Sequence, residues 1–228
     1  MVQSKYKKKL AKINSGSNKI VQKLPKKVKP KKSKWRPSKL LILDLNHVLI
    51  SRERMSKKFR IRPGAVQFVV RMAHFFKLAL WSSAKKDTVR KIIRGLFPDP
   101  SKFCPSRFLF VWNQSMCTRD IADENIESDS EEADAREKYY GSAKKPLLRK
   151  DLSKVFEKFP EYIGNTLLLD DSPKKGLFNN TKSMVTVSKY TKDVRDSSDD
   201  SDSDTELFEN SELCQRLEAL AKTDGALY

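Results

Sequence analysis

The chain has 228 residues, 38% of them hydrophobic, and a formal net charge of +18. Three scattered cysteines (Cys104, Cys117, Cys214) and two histidines (His47, His74) exclude a disulfide framework and a structural zinc centre by number and spacing, and no apolar run is long enough for a membrane-spanning helix. The charge is uneven: residues 1–40 carry fourteen Lys and one Arg with no acid, so +15 sits in an arm and only +3 in the rest.

Taken in chain order, residues 1–38 alternate Lys clusters with Ser, Asn and Pro and cannot gather a core. They read as a disordered basic arm, suited to nuclear or nucleolar targeting and to non-specific contact with nucleic acid. From Lys39 the texture changes. Five aliphatic runs read as strands: 40–45, 77–81, 107–111, 165–170 and 184–187. Helical periodicity separates them at 65–76, after Pro63 and Gly64, at 84–97, and at 151–159. Strand and helix alternating in this way predict an α/β fold, a doubly wound and mostly parallel sheet with flanking helices.

Two acidic tracts interrupt the alternation. Residues 120–137 hold nine acids against one Arg, and residues 193–209 hold eight against one. Both read as solvated segments, and their serines followed by acids suit acid-directed phosphorylation. The expected organisation is a basic arm (1–38), a folded domain (39–192) with an acidic insert (120–137), an acidic disordered segment (193–210) and a C-terminal helix (211–228).

A doubly wound sheet gathers the carboxyl ends of its strands around one cleft. Asp44 ends the first strand, Ser82 follows the second, Asp170 and Asp171 close the fourth, and Lys150 stands before the helix leading into that strand. Singly these residues read as turn formers or helix caps. Together they form a chemical constellation of three carboxylates, a hydroxyl and an ammonium.

The motifs DLNHVL from Asp44, RPG at Arg62 to Gly64, LALWSSA through Ser82, WNQSMC from Trp112, RKDL from Arg149 and LLLDDSP through Asp170 and Asp171 resemble the haloacid dehalogenase superfamily. More narrowly, they resemble its branch of phosphatases acting on the carboxy-terminal domain of RNA polymerase II, plant-like members included. The resemblance covers roughly residues 38–190 and implies a Rossmann-like domain without a large cap. It implies that Asp44 is the phosphoryl-accepting nucleophile, that Ser82 and Lys150 bind the phosphoryl group, and that Mg2+ is held by Asp44, the Asn46 carbonyl and Asp170 or Asp171. Lys144 and Lys145 compete for the lysine role, with RKDL the better match.

One position departs from the pattern. Active relatives carry Asp two residues after the nucleophile, as general acid and then base; here it is Asn46, followed by His47 where Gly is usual. An amide cannot exchange that proton, and such a loss typically costs about a hundredfold to ten-thousandfold in rate. His47 is a candidate substitute donor, though it more simply fills the turn. Two functions are therefore expected alternatives. The first is a slowed Mg2+-dependent protein serine/threonine phosphatase acting on a phosphoprotein such as the RNA polymerase II carboxy-terminal domain. The second is a pseudophosphatase that binds phosphoprotein or nuclear partners.

Overall fold

In the computed structural model the described residues are 38–52, 58–120, 147–192 and 203–228. The basic arm up to Pro37, most of the acidic insert, Lys144, Lys145 and residues 193–202 lie outside them. Strand β1 (Leu40–Leu43) is flanked by β4 (Lys77–Trp81) and β8 (Thr166–Asp170), with β5 (Val111–Trp112) and β9 (Met184–Thr186) at the edges, giving the order β5-β4-β1-β8-β9. All these pairings are parallel. Chain order reverses between β1 and β8, and this switch point is where doubly wound sheets bind ligands. The expected fold class is the observed one.

Alternation along the strands explains why both faces are covered. Leu41, Leu43, Leu78, Leu80, Leu167 and Leu169 enter one core with α1 (Ala65–Met72) and α2 (Lys86–Leu96). The intervening Leu40, Ile42, Ala79, Trp81 and Leu168 enter a second core with Leu152 and Val155 around the short α3 (Ser153–Phe156). A strand buried on both faces needs apolar side chains at every position, which is why the sequence shows runs rather than alternation. Helix α1 buries Ala65, Phe68, Val69 and Met72, and α2 buries Val89, Ile92, Ile93 and Leu96, each a single stripe at helical spacing. Gly64 caps α1 with φ of 74°, and a Cβ there would come within 2.6 Å of Phe208. Both the backbone and the space therefore demand glycine.

Several elements differ from expectation. Of the run 107–111, Arg107 closes a 3-10 turn (Pro105–Arg107) and β5 forms at Val111–Trp112, with Leu109 N donating to Leu78 O at 2.7 Å and Phe110 O accepting from Leu80 N at 3.0 Å just before it. Pro105 lacks the N–H a sheet needs but suits the first position of a helical turn. Two small antiparallel pairs, β2 (Ile50–Ser51) with β3 (Arg60–Ile61) and β6 (Thr118–Asp120) with β7 (Leu147–Arg149), have no counterpart in the predicted strands. Strands of two or three residues are too short to show a period.

The C-terminal region belongs to the first core. Helix α4 (Glu212–Lys222), capped by Ser211 accepting from Cys214 N at 3.2 Å, places Leu213, Cys214 and Leu217 among the residues packed on α1. Lys39, 2% exposed, closes its other end, donating to the Ala221 carbonyl at 3.3 Å, to Thr223 Oγ1 at 3.0 Å and to the Thr223 carbonyl.

Part of the second acidic tract is placed as well. Asp204 accepts from Arg62 Nε and Nη2, both at 2.9 Å, while the same guanidinium donates to Ser188 O at 3.0 Å, Ser188 Oγ at 3.0 Å and Val48 O at 3.3 Å. One buried cation thus ties the loop after β1, the loop after β9 and the acidic segment together. Asp204→Asn leaves this guanidinium without its counter-charge and is expected to destabilise the fold by about 3 kcal/mol. A denaturant midpoint moved down with unchanged m-value would register it, and a shift under about 0.5 kcal/mol would show the pair to be ornamental.

Candidate functional site

The site forms where the central strands end. Register pairs Leu43 with Leu169, so Asp44 and Asp170, each the next residue, stand side by side across the switch point. Asp44 N donates to Leu169 O at 2.9 Å, which fixes the backbone beneath the carboxylate. Both are sealed from solvent, at 1% and 0% exposure. Asp171 follows, and one oxygen from each of Asp44, Asp170 and Asp171 lies within 4.8 Å of the others.

Two ammonium groups hold this cluster. Lys150, wholly buried just after β7, donates to Asp170 Oδ2 at 2.6 Å and lies 3.1 Å from Asp44 Oδ1. The second contact is an ion pair without hydrogen-bond alignment, so Asp44 Oδ1 is a buried oxygen with no hydrogen bond. Lys175 donates to Asp44 Oδ2 at 2.9 Å, Asp170 Oδ1 at 2.9 Å and Asp171 Oδ1 at 3.1 Å. Burial disfavours the Lys175 charge, but the summed attraction of Asp44, Asp170 and Asp171 outweighs it and holds the ammonium above the ordinary lysine range. Three carboxylates against two ammoniums leave one net negative charge in the pocket.

Local chemistry explains how the second lysine arrives. Asp170 Oδ1 accepts from Ser172 N at 3.0 Å, and Pro173 then opens a 3-10 turn, Pro173–Gly176, that carries Lys175 back over Asp171 at i,i+4. The turn is stitched to β7: Lys150 N donates to Lys175 O at 2.8 Å and Arg149 Nη1 to Lys174 O at 2.7 Å. Sequence reasoning passes over Lys175, because a lysine pair in a Pro turn reads as solvated surface. The available signal is the spacing of four from Asp171 across a proline.

Ser82 reaches the same edge. It is 1% exposed, its N–H donates to Trp112 O at 3.0 Å, and its Oγ accepts from Ala84 N at 3.2 Å. The hydroxyl proton is not used in that bond. Asn46 is half-buried, and its Oδ1 is buried without a hydrogen-bond partner among the described residues. Asn46 Oδ1, without a hydrogen bond, and Asp44 Oδ1, with the Lys150 ion pair at 3.1 Å and no hydrogen bond, leave acceptor capacity at one strand end for something to bind.

His47 adopts the left-handed conformation with φ of 66°, where glycine is usual. Its Nδ1 stands 3.0 Å from the Tyr190 carbonyl, and Tyr190 N donates to His47 O at 2.9 Å. A nitrogen facing a carbonyl carries the proton, so the ring ties the two loops together through Nδ1. Cys117 lies close enough to feel Lys150 and Asp44, but burial pushes its thiol pKa up, which makes it a poor nucleophile.

The donor set fits a hard divalent ion, which prefers several oxygens. The three convergent carboxylates supply them, and a cation, the Lys175 ammonium, already stands where they converge. The residues expected at the site, Asp44, Asn46, Ser82, Lys150, Asp170 and Asp171, thus lie at one edge of the sheet.

Comparison with known proteins gives the family. Among solved structures, fission yeast Fcp1, an RNA polymerase II CTD phosphatase bound to beryllium fluoride, shares 13% identity over 67% of this chain and 42% of its own, with a TM-score of 0.41. A second structure of Fcp1, described as an essential RNA polymerase II CTD phosphatase, shares 15% over the same fractions, with a TM-score of 0.42. The chain therefore spans under half the length of either structure. No curated protein matches it in sequence. The family model of the NLI interacting factor-like phosphatases matches residues 39–225, nearly all of the chain beyond the basic arm, and the chain belongs to that family.

Proposed function

We propose that this domain is a protein serine/threonine phosphatase that acts through an aspartyl-phosphate on Asp44, slowed by Asn46. The observation that carries the reading is the state of Asp44: a buried strand-end carboxylate with one oxygen held by Lys175 and the other free of hydrogen bonds. Oδ1, beside the Lys150 ammonium and without a hydrogen bond, attacks phosphorus, and the bond from phosphorus to the seryl or threonyl oxygen breaks as the new one forms. Lys150, between Asp44 and Asp170, meets the incoming phosphoryl oxygens. Ser82 donates its free hydroxyl proton to one of those oxygens. The departing alkoxide needs a proton that the Asn46 amide cannot give, so it comes from solvent. Water then attacks phosphorus and gives up a proton to solvent, the bond from phosphorus to the Asp44 oxygen breaks, and phosphate leaves with the carboxylate restored. Mg2+, held by Asp44, the Asn46 carbonyl and Asp170 or Asp171, would neutralise the charge between the anionic nucleophile and the anionic substrate.

The substrate class is a phosphorylated protein segment. Between Asn46 and Arg62 the described residues form the two-residue strands β2 and β3, and a span this short holds no large cap domain, which supports a peptide as substrate. The RNA polymerase II carboxy-terminal domain, the substrate in the description of Fcp1, is one such segment. The +15 charge of residues 1–40 supports nuclear or nucleolar retention and loose contact with nucleic acid. Asn46 also favours a second reading, a pseudophosphatase that binds phosphoprotein without turning it over.

Hydrolysis of an aryl phosphate and of a phosphoserine peptide, with and without Mg2+, separates the two. The proposal expects Mg2+-dependent release of phosphate that favours the aryl ester, whose leaving group needs little protonation, and is abolished by Asp44→Asn. Phosphopeptide binding without release from either substrate would sustain the second reading.

A further inference from the structure

We propose that Lys175 is a tethered cation that fills the metal pocket when no divalent ion is bound and must leave before one enters; this rests on reading Asp44, Asp170 and Asp171 as a metal centre. An ammonium has three N–H donors. At Lys175 each of them meets a different carboxylate, at 2.9, 2.9 and 3.1 Å. Donors and acceptors are matched one for one, which is full coordination rather than a casual surface contact.

The two lysines divide the oxygens between them. Lys150 holds Asp44 Oδ1 and Asp170 Oδ2, while Lys175 holds Asp44 Oδ2, Asp170 Oδ1 and Asp171 Oδ1. The three oxygens on Lys175 belong to the carboxylates that converge within 4.8 Å, too small a space for an ammonium and a second cation together. Lys150 is fixed, its side chain 0% exposed, whereas that of Lys175 is 15% exposed and hangs on an unbranched stem from a turn at the rim. Only Lys175 has a route to water.

Charge gives the same answer. With both lysines in place the cluster keeps one negative charge, and exchanging the Lys175 ammonium for a divalent ion brings it to zero. Adding the ion without releasing Lys175 would leave an excess positive charge in a nearly closed pocket, which is unfavourable. Metal entry is therefore an exchange, and the apparent metal affinity is reduced by the fraction of chains in which Lys175 has swung out. Sheet and loop geometry stay as they are; a single side chain changes place.

Calorimetric titration of the full chain with Mg2+ and Mn2+, beside Lys175→Met, tests the exchange. The variant is expected to bind Mn2+ about tenfold more tightly or better, and to lose more thermal stability than wild type when metal is stripped with EDTA. Equal affinities in the two chains overturn the exchange and leave the metal centre standing. No binding by either chain overturns both. Should the variant not fold, the wild type suffices: the Lys175 Nζ protons, slow to exchange in metal-free protein, should become fast at saturating Mg2+ in nitrogen-detected NMR. Protons that stay slow with Mg2+ bound overturn the proposal.

Discussion

Asn46→Asp raises turnover of a phosphoserine peptide by about a hundredfold to ten-thousandfold, with a far smaller gain on an aryl phosphate. The size follows from what is missing. A seryl oxygen leaves as a strong base and needs a proton in the transition state, and a positioned acid contributes about that factor. An aryl oxide leaves readily without one, so restoring the acid changes little. The structure leaves space for the exchange: Asn46 Oδ1 is buried with no hydrogen-bond partner among the described residues, and Asp has the same shape. Steady-state kcat/KM for both substrates checks this; a uniform change on the two, or none, would show that Asn46 is not the limiting residue.

The second large effect is on stability. Lys150→Met is expected to cost about 3–5 kcal/mol, the usual penalty for removing one partner from a buried ionic cluster. Lys150 is wholly buried, and Asp44 and Asp170, at 1% and 0% exposure, would then share only the Lys175 ammonium. Asp170 Oδ2 would lose its 2.6 Å bond, and water cannot replace it without opening the core. Chemical denaturation at fixed pH reads the loss. The double variant with Asp170→Asn should be less than additive, because the second change removes the charge that the first leaves stranded. Additive costs would mean that the two residues are not coupled.

The legible and illegible parts of the fold divide along one physical line. Strands β1, β4 and β8 are visible in the sequence because a strand covered on both faces must be largely apolar. The carboxylates at their ends are visible because a charge directly after such a run has nowhere to go but the strand edge. Features that depend on distant partners are not visible. Asp204 sits in a tract that reads as solvated, and only the fold brings Arg62 to it. Lys175 looks like surface until the turn after Pro173 brings it over three carboxylates. Helix α4 reads as a separate tail, yet Leu213, Cys214 and Leu217 complete the core beside α1.

These two kinds of feature meet in the cleft. The sheet supplies direction, since Asp44 and Asp170 are fixed by strand register and by backbone bonds such as Asp44 N to Leu169 O. The connecting segments supply the counter-charge, with Lys150 from one side and Lys175 from the other. With both lysines in place, Lys175 takes Oδ2, while Oδ1 lies 3.1 Å from the Lys150 ammonium without a hydrogen bond.

Covalent trapping tests the role of Asp44 as nucleophile most directly. Wild-type protein mixed with an aryl phosphate and Mg2+ is quenched in acid, which preserves an acyl phosphate, and the modified peptide is located by mass spectrometry. One phosphoryl group is predicted on Asp44, accumulating because Asn46 cannot act as base to the hydrolytic water, and absent from Asp44→Asn. Turnover with no label on Asp44, or a label that survives Asp44→Asn, would contradict the account.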